Sequence, residues 1–120
     1  MKTVIIGATT NPDRAAFQAA GLLRLKGHEF IAVGIREGTV AGQPIVPREK
    51  LAGVSDVDTV TLYIRPDVQP EWYETILALH PRRIIFNPGT ENEEFVALAK
   101  ANGIESSVAC TLVLLTTGQY

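Results

Sequence analysis

The stretch Gly7-Ala-Thr-Thr-Asn-Pro-Asp-Arg14 has the residue types needed to hold an anion. Where a glycine breaks an apolar run and the chain turns into a helix, backbone N–H groups and the positive end of the helix dipole converge on one point. Thr9 and Thr10 add hydroxyls there, and Arg14 adds a cation. Such a loop suits a phosphate. It is not the dinucleotide fingerprint G-x-G-x-x-G, because only Gly7 of the three glycines is present.

Three further segments carry groups that recognise a nucleotide-like ligand. In Gly34-Ile35-Arg36-Glu37-Gly38 the acidic residue that a nicotinamide site places at the end of its second strand is missing, and Arg36 follows instead. An arginine favours an extra phosphate on the ribose, as in NADP or coenzyme A, over NAD. Glu37 is placed either to pair with Arg36 or to contact a ribose itself. Arg65, in Tyr63-Ile64-Arg65-Pro66-Asp67, contacts a phosphate or pairs with Asp67. Asn87-Pro88-Gly89-Thr90-Glu91 brings backbone close to a ligand through Gly89 or is a turn before a helix.

No nucleophile–base set emerges. His28 and His80 fall where helices end or strands begin and read as surface or packing residues. Cys110 reads as a small apolar residue near a sheet edge. No Cys/His spacing suits a metal.

The elements that must position these loops alternate along the chain. Short apolar runs at 2–7, 29–34, 58–64, 83–87 and 104–108 predict strands covered on both faces, and Ile45-Val46 between two prolines adds a short edge strand. Asn11 is the expected N-cap of a first helix, with Pro12 at its first position and Gly27 as its stop. Further helices are expected over about 70–79 and 93–102. This alternation predicts a doubly wound α/β fold: a mainly parallel sheet of five or six strands in three αβα layers. Ligands of such sheets bind beyond the carboxyl ends of the strands, where strand order reverses, so the four loops above share one rim.

Bulk properties set the class. With 120 residues, 46% hydrophobic and 20% charged, the chain is expected to form one globular domain spanning 1–120. A net charge of −2 gives no footprint for nucleic acid. A single cysteine permits no internal disulfide, no run is long enough to span a bilayer, and a strand directly after Met1 leaves no room for a leader. A cytoplasmic domain with neither a membrane nor a nucleic-acid partner is the expectation. Leu112-Val-Leu-Leu115 is either a last sheet-covering element or the surface of a homodimer.

Gly7-Ala-Thr-Thr-Asn-Pro-Asp-Arg14, Arg65-Pro66, Asn87-Pro-Gly89, Glu91-Asn-Glu-Glu94 and Cys110 occur in the order seen in the small stand-alone CoA-binding domain proteins, which the chain resembles over nearly its whole length. That family is similar to the Rossmann-like CoA-binding domain of the succinyl-CoA synthetase alpha subunit. The resemblance implies non-catalytic binding of coenzyme A or an acyl-CoA. Following Gly7, Ala8, Thr9, Thr10 and Arg14 would cradle the pyrophosphate, with Asn11 in the same loop. Val33, Ile35 and Arg36 would lie by the adenosine and its 3′-phosphate, and Ile64, Arg65 and Pro66 would line the far wall. Asn87, Pro88 and Gly89 would border the pantetheine. The family usually carries Asn-Pro after the second strand, where this chain has Gly34-Ile35. Two other readings stand beside it: an NADP-dependent enzyme, and a ligand-free regulatory domain with a decayed nucleotide pocket.

Overall fold

The structure is a computed structural model and describes residues 2–120. Its strands are β1 (Lys2–Ile6), β2 (Glu29–Val33), β3 (Thr39–Val40), β4 (Gln43–Val46), β5 (Val57–Leu62), β6 (Arg83–Phe86) and β7 (Glu105–Val108). They form one sheet in the order β3-β4-β2-β1-β5-β6-β7. Every neighbouring pair is parallel except the β3–β4 hairpin. The doubly wound architecture expected from the alternation is present, and the two-residue β3 brings the described strands to seven. The chain leaves β1 toward β2 and β4, then returns to build β5, β6 and β7 on the other side, so strand order reverses between β1 and β5.

Register makes the rim level. Val33, Ile6, Leu62, Phe86 and Val108 stand opposite one another across five strands. The residues that follow them therefore leave the sheet along one edge.

Helices cover both faces: α1 (Ala15–Leu25), α2 (Tyr73–Ala78), α3 (Glu93–Ala101) and α4 (Thr111–Thr116). Ala16, Ala20 and Leu23 of α1 bury against Ile5, Phe30, Ala32 and, from α4, Leu115. The small alanines let the α1 backbone approach the sheet closely. On the opposite face Ile76 of α2 and Phe95 and Ala99 of α3 pack on Val4, Ile6, Val60, Leu62, Ile84 and Phe86. Phe86 and Phe95 meet edge to face, with ring centroids 5.7 Å apart. The two faces differ in chemistry. β5 turns Val60 and Leu62 to the apolar side, and Thr59 and Thr61, both fully buried, to the α4 side.

Two local expectations are corrected. Asn11 does not cap α1, which begins at Ala15 with an extended Arg14 (φ −92°, ψ 144°) in the cap position. Asn11 instead accepts from the Asp13 N–H through its side chain (3.0 Å) and from the Arg14 N–H through its carbonyl (3.1 Å). These local bonds hold 11–14, Pro12 included, as turns that compete with helix. The single helix expected over 70–79 is a 3-10 turn, Gln69–Trp72, running into α2. Pro70, which has no N–H to give, sits in that turn. The C-terminal apolar stretch is α4, a sheet-covering element packed on α1. No helix among the described residues is long and apolar enough to cross a membrane.

Candidate functional site

Close backbone approaches knit the rim loops together. Gly7 (φ +99°) ends β1, and a Cβ there would stand 2.9 Å from the Tyr63 carbonyl oxygen and 3.2 Å from Ile64 Cγ2. The N–H groups of Gly7 and Ala8 both donate to the Val33 carbonyl at 2.9 Å, hooking the first loop to the end of β2. At Gly34 a Cβ would meet the Ala8 carbonyl oxygen at 2.6 Å, and at Gly38 it would meet Thr10 Cγ2 at 2.5 Å. On this backbone Ala8 lies where a side chain at 34 would be.

The start of α1 opens onto this ledge. No side chain caps it, no acidic residue lies in its first turn, and Arg14 is exposed beside it. Thr9 Oγ is used internally, accepting from the Asn11 N–H at 3.1 Å, whereas Thr10 is exposed. An uncapped N-terminus with a neighbouring guanidinium can hold a phosphate oxygen through backbone N–H groups and charge together.

Arg36 is exposed after β2, and no ion pair joins it to Glu37 among the described residues. Ile35 beside it is 93% exposed, an apolar surface with no protein neighbour over it. Arg65 pairs with Asp67 at 3.3 Å on the surface, an arrangement of little energetic weight that a stronger anion can displace. Ile64 packs on the core cluster, and Pro66, Pro88 and Gly89 are exposed. The Gly89 N–H (φ +91°) donates to the Glu91 carboxylate at 2.7 Å, so that donor is already occupied.

Two of the expected site residues belong to the core. Val33 is fully buried. Asn87 donates from Nδ2 to Thr61 Oγ1 (2.6 Å) and the Leu62 carbonyl (2.8 Å), and its Oδ1 accepts from the Thr111 N–H (2.9 Å). Both Nδ2 hydrogens are used, so this side chain organises the rim from below.

Gln69, which nothing in the sequence singled out, has a similar place. It is fully buried, and Nε2 donates to the carbonyls of Ile64 (3.0 Å) and Thr90 (2.8 Å) while Oε1 accepts from Asn92 Nδ2 (2.9 Å). One amide therefore ties the loop after β5 to the loop after β6. Burial also pushes the Tyr63 hydroxyl up to about 12, so it stays neutral.

Both histidines lie at the opposite edge of the sheet, before β2 and β6, and His28 packs edge-on against Tyr120. Cys110 is half-buried at the rim, immediately before α4. A cavity of about 420 Å³ lies between 48–54 and α2, and another of about 390 Å³ lies by Arg24, His28 and Gly42. Neither includes a residue of the four rim loops.

A doubly wound, mainly parallel sheet with helices on both faces defines a Rossmann-like α/β domain. The chain matches the CoA binding domain family over residues 1–116 and belongs to it. No curated protein matches. Among solved structures it is similar to an uncharacterized protein at 49% identity and TM-score 0.94, covering 99% of this chain and 97% of that one. A Thermus thermophilus protein (22% identity, TM-score 0.85, 99% and 90% covered) and a hypothetical protein from Pyrococcus horikoshii (20%, 0.80, 93% and 80%) share the fold.

Proposed function

We propose that this chain is a binding module for coenzyme A or an acyl-CoA, held on the rim between β1 and β5, and that it performs no chemistry on its ligand. The observation that carries this reading is the uncapped start of α1 beside Arg14 at the switch point, in a chain of the CoA binding domain family. Arg14, Arg36 and Arg65 all leave the sheet at its carboxyl edge. They give an anionic ligand a local positive field despite the net charge of −2. Exposed Ile35 offers an apolar surface to a base, with Arg36 next to it for the 3′-phosphate. The binding-only role is supported by the two histidines, which lie at the far edge and leave Cys110 without an imidazole partner at the rim.

A ligand-free role is favoured by a different observation. Two rim donors, Arg65 and the Gly89 N–H, are engaged by the protein's own carboxylates.

Calorimetry with CoA, dephospho-CoA, NADP and NAD separates these readings. CoA is expected to bind best, with dephospho-CoA weaker by about tenfold, the worth of one charge-assisted contact. Arg36→Ala is expected to erase that difference. Equal affinity for CoA and dephospho-CoA in the unaltered protein removes Arg36 from the role. Heat from none of the four ligands leaves the ligand-free reading in front.

A further inference from the structure

The sheet face beneath α4 is built unlike the rest of the core. Thr3, Thr59, Thr61, Arg83 and Asn87 are all buried, and several of them meet α4 or the residues after it. α4 itself buries only Thr111 and Leu115, and Val113 is 53% exposed. Its first residue is held by two hydrogen bonds: Thr111 Oγ1 to Thr61 Oγ1 at 2.8 Å, and the Thr111 N–H to Asn87.

Past α4 the chain ends its descent at Tyr120. The hydroxyl is hydrogen-bonded to Thr3 Oγ1, and the ring lies 4.7 Å from the Arg83 guanidinium and edge-on to His28 at 5.0 Å. Arg83 is only 8% exposed, yet no carboxylate pairs with it among the described residues. Nε donates to Thr59 Oγ1 at 2.9 Å, and one terminal nitrogen has no partner. A buried cation satisfied this poorly raises the free energy of the closed arrangement, and the aromatic face offsets only part of that cost.

We infer that Cys110–Tyr120 is a strap that opens as one unit while the rest of the fold stays intact, with the Tyr120 hydroxyl on Thr3 as its latch and the under-solvated Arg83 as the group that favours opening. The balance of forces supports this. The apolar grip of the strap is narrow, since Leu115 is the one fully buried apolar side chain of α4 and Tyr120 packs on the edge of the same cluster. The threonines and Asn87 beneath exchange their protein hydrogen bonds for water at small net cost. The Arg83 guanidinium gains the hydration it lacks when closed. Because the Thr111 N–H is held by Asn87, lifting the strap also frees one bond of the amide that organises the rim from below.

Hydrogen exchange on the ligand-free full chain tests the strap whatever the rim binds. The hydrogen-bonded amides of Leu114, Thr117 and Gln119 are expected to exchange together, about tenfold or more faster than those of α1 and β1. Tyr120→Ala is expected to accelerate those three by about a further tenfold and leave α1 and α3 unchanged, with Tyr120→Phe, which keeps the ring, producing a smaller effect. Arg83→Met, which keeps the stem and drops the charge, is expected to slow them. The inference is overturned by strap amides that exchange only with the whole molecule, by Tyr120→Ala accelerating every element equally, or by Arg83→Met accelerating the strap.

Discussion

At the residue scale, the rim turns on atoms that leave no space. Gly34 cannot carry a side chain without moving Ala8, whose carbonyl oxygen would lie 2.6 Å from the new Cβ. Gly34→Ala is therefore expected to cost about 1–3 kcal/mol, as overpacking does, and to weaken CoA binding by displacing the first loop. Urea titration and calorimetry check the two effects separately. Arg65 presents the reverse case of a group held back. Its 3.3 Å pair with Asp67 competes with any anionic ligand, so Asp67→Asn should raise CoA affinity by about threefold, within the range of surface ion pairs. Unchanged affinity would show that Arg65 makes no ligand contact. The glycines were visible in the sequence as loop residues. Which backbone atom each one makes room for was not, because that depends on a strand far away in the chain.

Between elements, the loops are set by buried amides rather than by their own turn chemistry. Gln69 spans the ends of β5 and β6 through the carbonyls of Ile64 and Thr90, and Asn87 joins β5, β6 and α4. Gln69→Ala strands two buried carbonyls and leaves a gap. The expected loss is about 2–4 kcal/mol in urea denaturation, together with weaker ligand binding as the two loops lose their common anchor. A loss under 0.5 kcal/mol, on the order of a surface change, would mean that water replaces the amide. Strands and helices were readable from apolar runs and periodicity, since each reflects neighbours a few residues apart. The start of α1 was misjudged because Asn11 has two local uses for its side chain, and the turn at 11–14 won. Gln69 carried no local signal at all, being a polar residue whose partners lie in other loops.

Across the whole molecule, the edge of the sheet opposite the rim holds the strands in register through charge. Arg82 meets Asp58 in a two-point contact at 2.9 and 3.2 Å and reaches Glu105 at 3.6 Å, linking the starts of β5, β6 and β7. The Arg82 hydrogen bonds hold the Asp58 carboxyl below its ordinary value of 3.8. As pH falls below 3.8 the unfolded chain takes up this proton before the native one does. The stabilisation present above 3.8 is then lost as pH drops through the lower native value. Asp58→Asn should remove about 0.5–1 kcal/mol near neutral pH and flatten the acid side of the stability profile, seen as urea midpoints measured on both sides of that value. By itself the sequence determined the alternation of strand and helix, the anion-suited break at Gly7 and the four loops that share an edge. Those features rest on propensity, periodicity and chain connectivity, all short-range. Tertiary structure alone decided that Arg14 rather than Asn11 takes the cap position of α1, that Val33 and Asn87 sit beneath the rim, and that a polar layer with Arg83 lies under α4. These outcomes depend on which distant backbone and side-chain groups satisfy one another once water is excluded.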